Sequence, residues 1–368
     1  MAETMNADVT VPDEHGTING ATYFDILTDF DNLYRAHQSC RKGKKWKDSV
    51  AIYDIRGLEC TYFIQQLLIN GTYKMSEYNC FTINERGKKR EIKSIKYHDR
   101  VAQKCLMDNI ITPLMSPKLI SGNGASQKGK GTDYAIKRFK EQLGRQWRKG
   151  GGYILMCDMK GYFDSIPHDM LNEMYSKVIN DERVMQLIMD IHASIPGGRG
   201  VPLGNQLSQM DALLALSPLD HFIKEQLHIE GYGRYMDDFY LIHESREYLI
   251  NALNYIKSYM EARGMKLNGK KTKLIPLSHG IDFLGFRYHL TDSGKVVMKL
   301  SKRSVRHHKQ KLHKMAKLWK DGKITYKACE EAHRCWKAHA KRGDTYYLIR
   351  KMDTLFKELF TQNKKEES

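Results

Sequence analysis

The sequence lacks any apolar run close to the roughly 18 residues that a membrane-spanning helix requires. Its first 20 residues are polar and carry acids, which excludes the basic and then apolar pattern of a secretion signal. We therefore expect a cytoplasmic protein without a membrane partner. The seven cysteines form no CxxC pair and make an odd total, which indicates reduced and mostly packed thiols.

Four residues near the C-terminus come closest to a zinc-binding set: Cys329, His333, Cys335 and His339. On one helix, at about 100° per residue, Cys329 and His333 share a face, whereas Cys335 and His339 point well away from it. This spread of directions argues against a zinc site.

Acidic residues are fewer than basic ones, with 43 Asp and Glu and 60 Lys and Arg. The resulting formal charge of +17 and pI near 9.3 attract polyanions. Nucleic acid is the leading partner, and an anionic membrane is the alternative. With 41% hydrophobic residues over 368 positions, the chain can build a substantial core in two or three domains.

Strand-like and helix-like segments alternate, which predicts an α/β or α+β core followed by a mainly helical C-terminal domain. A basic β-hairpin is predicted over residues 78–95 and a buried strand over residues 153–157. Helices are predicted over residues 99–114, 132–147, 206–227, 247–263 and 301–320.

Tyr235-Met236-Asp237-Asp238 places two carboxylates between two apolar, β-favouring runs, a pattern typical of a hairpin with charge at its tip. Two adjacent acids repel each other there, and a divalent cation would relieve the repulsion. Asp158 ends the predicted strand at 153–157 and supplies a third carboxylate if the strands are neighbours, although alone it could equally cap a turn. Three such acids suit two Mg²⁺ ions in phosphoryl transfer. Asp164 and Asp169 have the pattern of turn and helix-start residues.

Three motifs, in this order, carry a resemblance to a known family: DMKGYFDSIPH at 158–168, GVPLGNQLSQ at 200–209 and YMDD at 235–238. Their order and spacing resemble those of bacterial reverse transcriptases across most of the chain. The resemblance implies an α+β, right-hand polymerase fold. Its expected parts are a flexible leader at 1–20, fingers with N-terminal helices at 21–149, a palm with part of the fingers at 150–290, and a basic helical thumb with a C-terminal tail at 291–368.

The resemblance implies an RNA-directed DNA polymerase whose catalytic residues are Asp158, Asp237 and Asp238. It also implies two Mg²⁺ ions, for which Mn²⁺ could substitute, held by these three residues and the carbonyl of Met159. Phe163 resembles the aromatic gate that excludes a ribose 2′-hydroxyl by its bulk. A core aromatic is the alternative interpretation of Phe163.

The resemblance also implies residues that bind the nucleotide. Arg90, with Lys88, resembles the fingers cations that grip the triphosphate, and a guanidinium can bind phosphate with two hydrogen bonds. A solvated basic hairpin tip would have the same composition. Gly204 and Gln206 would let the backbone approach template and nucleotide closely. Lys271 is a candidate near the leaving pyrophosphate, or an ordinary surface lysine.

Other basic residues are candidate contacts to the nucleic-acid backbone, either in a glycine-interleaved loop or on the predicted thumb helix. A solvated helix face is the alternative for the second group. The expected partners are an RNA template or noncoding RNA, the cDNA product, dNTPs, and an accessory protein or a second copy of the chain. The candidate contacts are Lys128, Lys130, Lys302, Arg303, Arg306 and Lys309.

The middle motif, Leu203-Gly204-Asn205-Gln206-Leu207-Ser208-Gln209, differs from the Gln-Gly-x-x-x-Ser-Pro of many reverse transcriptases. It resembles enzymes of diversity-generating retroelements, as does the segment 336–346, and phage-defence reverse transcriptases share much of this architecture. The chain ends soon after the expected thumb, so the endonuclease domain of group II intron proteins is not expected. A group II intron-derived reverse transcriptase that lacks this domain is one alternative. A polymerase-shaped RNA-binding protein without catalysis is the other, and it predicts a broken set of acids. Template, primer, fidelity and oligomeric state stay open.

Overall fold

The computed structural model describes residues 20–85 and 88–361, apart from the side chains of Glu85 and Lys88. The expected leader at 1–20 lies almost entirely outside the described residues. Two compact units divide the chain, and segments of both alternate along it. Unit 1 holds the described residues up to Ala135, Met156–Tyr240 and Ile250–Lys273, and unit 2 holds Ile136–Leu155, Leu241–Leu249 and the described residues from Leu274 onward.

Helices dominate both units. Across residues 20–85 and 88–361, no helix is both long and apolar enough to cross a membrane. The α-helices are α1 (Tyr23–Thr28), α2 (Phe30–Arg41), α3 (Asp48–Ile55), α4 (Gly57–Ile69), α5 (Tyr97–Leu106), α6 (Thr112–Met115), α7 (Thr132–Arg148), α8 (Tyr162–Ser165), α9 (His168–Ser176), α10 (Glu182–Ala193), α11 (Leu207–Leu214), α12 (Ser217–His221), α13 (Arg246–Glu261), α14 (Lys302–Lys320), α15 (Tyr326–Ala340) and α16 (Tyr346–Phe360).

The strands form three sheets within the described ranges. A two-stranded sheet pairs β1 with β2, a four-stranded sheet has the order β4-β5-β3-β6, and a three-stranded sheet has the order β7-β8-β9. The strands are β1 (Asn79–Glu85), β2 (Lys88–Ser94), β3 (Tyr153–Asp158), β4 (Gly231–Tyr235), β5 (Asp238–His243), β6 (Lys273–Pro276), β7 (Ile281–Phe283), β8 (Phe286–Leu290) and β9 (Val296–Leu300).

The two hairpins predicted from the sequence are both present. In the first, β1 and β2 are antiparallel, with Phe81 opposite Ile92 and Ile83 opposite Arg90. In the second, β4 and β5 are neighbours in the four-stranded sheet and only Met236 and Asp237 separate them. The predicted buried strand is also confirmed as β3, in which Ile154 and Leu155 are fully buried.

Two of the predicted helices are not continuous α-helices in the structure. The helix expected over 206–227 is α11 and α12 followed by a π-helical turn, Phe222–Gln226. Pro218 stands in the first turn of α12, where its missing N–H costs nothing, but an unbroken helix would need that N–H. The helix expected over 99–114 is α5 followed by the π-helical turn Met107–Ile111 and then by α6, which holds Pro113 in its first turn.

The helices α14, α15 and α16 of unit 2 share a small core of Leu312, Ala316, Cys329, Phe356 and Phe360. Beside that core, the rings of His308 and His333 hydrogen-bond each other at 3.1 Å, and the other ring nitrogen of His333 lies 2.9 Å from an Asp353 oxygen. Burial, together with His333, lowers the pKa of His308 to about 3, so His308 is neutral at physiological pH. Cys329 and His333 thus take part in helix packing.

Candidate active site

The three candidate acids lie at the ends of adjoining strands. Asp158 is the last residue of β3, Asp237 lies in the turn after β4, and Asp238 is the first residue of β5. Because β5 and β3 are neighbours in the sheet, Asp238 and Asp158 lie near enough for their carboxyl groups to influence each other. All three belong to unit 1.

Burial and the charges of its neighbours disfavour the ionised form of Asp238 in this cluster. Burial is the largest cause that raises the pKa of Asp238, followed by the charge of Asp237 and then by Asp158; Lys271 acts in the opposite direction. Together they raise the pKa of Asp238 to about 7, well above its ordinary value of 3.8. A divalent cation would relieve this repulsion, and its preferred ligands are carboxylate oxygens, so the chemistry of the site fits Mg²⁺.

Asp158 is held by two side chains from one loop. Lys271 Nζ lies 2.5 Å from Asp158 Oδ2, and Asn268 Nδ2 donates to Oδ1 at 3.0 Å. The Asn268 backbone N–H also donates to the Asp158 carbonyl at 2.7 Å. Both oxygens of this carboxylate are therefore engaged, and in the described part of the chain no three His, Cys, Asp or Glu side chains converge into a metal-binding group.

Asn268 is a site residue that the sequence interpretation missed. Its backbone carbonyl accepts hydrogen bonds from the N–H groups of Lys271 and Thr272, at 3.0 and 2.8 Å. Its side-chain oxygen accepts from the N–H of Lys270 at 3.2 Å. The available signal was an asparagine directly before the Gly-Lys-Lys-Thr motif, because asparagine organises turns through such local bonds.

The turn that presents Asp237 has an uncommon backbone. Met236 has φ +58°, in the left-handed region that a two-residue hairpin turn favours and that side chains other than glycine seldom adopt. Arg234 Nη1 donates to the Met236 carbonyl at 3.1 Å, and the hydroxyls of Tyr235 and Thr132 are 3.2 Å apart. These bonds hold the turn from both of its sides.

Arg234 itself is fully buried and ion-paired. Its guanidinium contacts both oxygens of Asp220, at 2.5 Å from Nη2 and at 2.9 and 3.0 Å from Nε. Nη2 also donates to the Leu213 carbonyl at 2.8 Å, and the Tyr232 hydroxyl donates to Asp220. The signal in the sequence was a charged residue at an inward position of a short apolar strand, directly before the Tyr-Met-Asp-Asp motif.

The glycine-rich loop is seated against the end of β2. A Cβ on Gly204, whose φ is +121°, would lie 2.9 Å from the Lys93 carbonyl oxygen, so only glycine fits there. The loop is tied by a bond from the Lys93 N–H to the Leu203 carbonyl at 3.1 Å. Gln206 and Lys128 line a cavity of about 450 Å³ in unit 1. Gln206 Oε1 is buried and has no hydrogen-bond partner among the described residues.

Phe163 and Met159 follow Asp158 closely. The Phe163 carbonyl accepts a 2.8 Å bond from the Val201 N–H, and its ring packs edge-on against Tyr162 at 5.6 Å between centroids. The Phe163 side chain is half-buried. Met159 is buried, and its backbone bridges to Leu267 beside the Asn268 loop.

The remaining candidates are dispersed. Arg90 is half-buried on β2, and the Lys88 side chain lies outside the described residues. Lys128 is exposed, whereas the Lys130 ammonium contacts Gln127 Oε1 at 3.0 Å and the ring of Tyr134. The other four lie on α14 of unit 2 and are all exposed: Lys302, Arg303, Arg306 and Lys309.

Comparison with known proteins assigns the family. Residues 82–288 match the family described as reverse transcriptase (RNA-dependent DNA polymerase), and this match covers more than half of the chain. The chain belongs to the reverse transcriptase family. Its α+β fold is accordingly the right-hand polymerase fold, as the sequence predicted.

The individual proteins that this chain resembles are only distantly similar to it. Protein YkfC of Escherichia coli K12 is 22% identical over 268 residues, which cover 60% of this chain and 68% of YkfC. The telomerase of Candida albicans, solved with a fragment of telomeric RNA, is 14% identical with a TM-score of 0.45 over 64% of this chain. The apo telomerase of Candida tropicalis is 15% identical with a TM-score of 0.45 over 61% of this chain. The chain spans about half the length of these telomerases.

Replacement of Arg234 by methionine tests the buried ion pair. We expect Arg234→Met to lower the free energy of unfolding by about 3–5 kcal/mol, because it leaves the Asp220 carboxylate buried without its cation. Urea unfolding measures this loss. The double variant Arg234→Met/Asp220→Leu should recover most of it, and Arg199→Met, at an exposed arginine, is the matched control. A loss below about 1 kcal/mol in the single variant would contradict the assignment.

Proposed function

We propose that this protein is an RNA-directed DNA polymerase that makes cDNA from a dedicated noncoding or template RNA by two-metal nucleotidyl transfer. The observation that carries the proposal is the position of Asp158, Asp237 and Asp238 at the adjoining ends of β3, β4 and β5, with the pKa of Asp238 raised by burial and by the charges of the other two acids. The family match supports the polymerase activity, and the motif set supports the mechanism.

In this proposal Asp158 and Asp237 hold the metal ions, with the Met159 carbonyl and Asp238 in support. Bound Mg²⁺ supplies neutralisation of phosphate charge and activation of the attacking 3′ hydroxyl. Asn268 orients the Asp158 carboxylate through the 3.0 Å bond to its Oδ1. Lys271, whose ammonium already lies at the cluster, is suited to meet the leaving pyrophosphate.

The same proposal assigns substrate selection to three elements. Arg90, with Lys88, grips the triphosphate from the β1–β2 hairpin, where a guanidinium can make paired bonds to phosphate. Gly204 brings the loop backbone close to the nucleotide, and Gln206 offers a buried amide oxygen without a partner among the described residues. Phe163 excludes a 2′-hydroxyl by bulk. Lys128, Lys130 and the exposed cations of α14 contact nucleic-acid phosphates.

We further propose that the enzyme serves a bacterial retroelement of the diversity-generating type or an antiphage defence system. The Leu203–Gln209 motif supports this, because it differs from Gln-Gly-x-x-x-Ser-Pro in the way that the diversity-generating enzymes do. An RNA dedicated to the protein is expected in both settings.

Removal of the acids tests catalysis. Primer extension on an RNA template with Mg²⁺ and dNTPs should fall at least about 100-fold in Asp237→Ala/Asp238→Ala and in Asp158→Asn, because the site then lacks the carboxylates that would hold the Mg²⁺ ions. Asp164→Ala, at an exposed acid six residues after Asp158, is the control and should retain activity. Equal and poor incorporation by the wild type and the double variant would instead favour an RNA-binding protein without catalysis.

Phe163→Ala tests the gate. Removal of the ring should lower the preference for dNTPs over rNTPs by about 10-fold or more, because bulk against one extra oxygen is the proposed basis of selection. Competition between dNTPs and rNTPs in primer extension measures this ratio, and Phe163→Leu should give an intermediate value. An unchanged ratio would return Phe163 to a packing role.

The template is identified by the RNA that copurifies with the protein. Sequencing this RNA, together with inspection of the neighbouring genes, should show one discrete structured species. A nearby repeat of a variable gene indicates diversification, and a structured RNA beside defence genes indicates immunity. Copurification of bulk cellular RNA without an enriched species would contradict a dedicated template.

A further inference from the structure

An apolar surface stands out on the N-terminal helices of unit 1. Of the fifteen large apolar side chains that are exposed among the described residues, seven fall between positions 46 and 69, and they are 49% to 84% exposed. The seven are Trp46, Ile52, Ile55, Leu58, Tyr62, Phe63 and Ile69.

Helix α4 is apolar on both of its sides. Its inner side buries Thr61, Ile64 and Leu68, whereas its outer side presents Leu58 and Tyr62, 60% and 57% exposed. Glu59 is the one charged residue among the 13 of this helix. Surface helices normally carry charge on the outer side, and a helix that is apolar all round is usually buried. The outer side of α4 therefore has the composition of an interface.

The outer residues follow the spacing by which helices pair. Within α4, positions 58, 62 and 69 are separated by four and seven residues, which is the repeat of an apolar seam between two helices, and Ile55 lies just before them at the end of α3. Within α4, Leu58, Tyr62 and Ile69 fall inside about 40° of arc. Next to them, Tyr62 and Phe63 line a groove of about 580 Å³ that can receive side chains from a partner.

The charges at this surface suit a second copy of the same chain. Arg56 and Glu59 pair with each other, so the seam brings no net charge into an interface. The lysines at positions 42, 44, 45 and 47, in the turn before α3, lie at only one end of the apolar surface. A two-fold axis near Tyr62 would run the two α4 helices antiparallel and keep the two lysine turns at opposite ends.

The exposed apolar area is comparable to that of a protein–protein interface. Each of the seven side chains is at least 49% exposed, and an aromatic side chain carries about 150–250 Å² of surface, so together they present on the order of several hundred Å². The largest apolar patch on a typical monomer is about 300–600 Å². Each partner in a standard protein interface contributes about 800 Å².

We propose that this protein forms a homodimer in which the α3–α4 surfaces of two copies, defined by the seven residues above, pack against each other about a two-fold axis. Single-stranded nucleic acid fits this surface less well, because Ile55, Leu58 and Ile69 provide no ring for base stacking. A lipid surface would not need the groove beside Phe63. The dimer is independent of polymerase activity and does not rest on the proposed function.

Sedimentation of the nuclease-treated full-length protein over a range of concentrations tests the dimer. The wild type should associate reversibly, and the association should hold or tighten as NaCl or sodium sulfate is raised, because salt screens the +17 charges and favours apolar burial. Leu58→Glu/Tyr62→Glu should weaken it at least about 100-fold. Tyr62→Phe should leave it intact, and Tyr347→Glu, at a tyrosine 83% exposed on α16, is the matched control.

Each other outcome overturns the proposal. A wild type that is monomeric at every concentration would mean that the surface binds a different protein or lipid. Flotation with vesicles of anionic lipid distinguishes these two possibilities. Association that disappears with nuclease or high salt is bridged by nucleic acid. A dimer that survives Leu58→Glu/Tyr62→Glu, while circular dichroism shows that variant to be folded, places the interface elsewhere.

Discussion

The ion pair between Arg234 and Asp220 is the interaction on which the turn that presents Asp237 depends. Both side chains are removed from water, and the loss of hydration costs several kcal/mol per ion unless hydrogen bonds and attraction offset it. Here the guanidinium binds both carboxylate oxygens, the Leu213 carbonyl and the Met236 carbonyl. Burial and the charge of Asp220 together raise the pKa of Tyr232 well above its ordinary value, so that its hydroxyl remains a donor. One buried cation thus joins α11, α12 and β4 to the turn that presents Asp237.

Close packing around β4 leaves that turn little freedom. A Cβ on Gly233 would lie 2.4 Å from the Tyr240 hydroxyl, so the buried Tyr240 side chain of β5 packs against Gly233 of β4 in space that any other residue would fill. The left-handed backbone of Met236 persists because the strands on both sides and the Arg234 bond over-determine it. Asp237 and Asp238 are therefore held near each other despite their repulsion, which adds to burial in raising the pKa of Asp238.

Local patterns in the sequence were enough to predict both hairpins, the strand β3 and the acids that follow these strands. Each is encoded within a few residues, by alternation of apolar side chains and by turn chemistry. The contacts that position the acids could not be predicted, because they join distant residues: Asn268 reaches Asp158 across 110 positions, and Arg234 reaches Asp220 across 14. The prediction of one helix over 206–227 was wrong for a different reason, because a new helix begins near Pro218.

Lys271 and Asn268 hold Asp158 in different ways, and the difference bears on how a cation can bind. The Lys271 side chain is 64% exposed, so its ammonium reaches the buried carboxylate from solvent and can return there at little cost. Asn268 is fixed by backbone bonds to Asp158, Lys271 and Thr272, and it stays when the lysine leaves. A doubly charged ion attracts a carboxylate more strongly than one ammonium does. Displacement of Lys271 would therefore free one oxygen of Asp158, while Asn268 kept the carboxylate in its orientation.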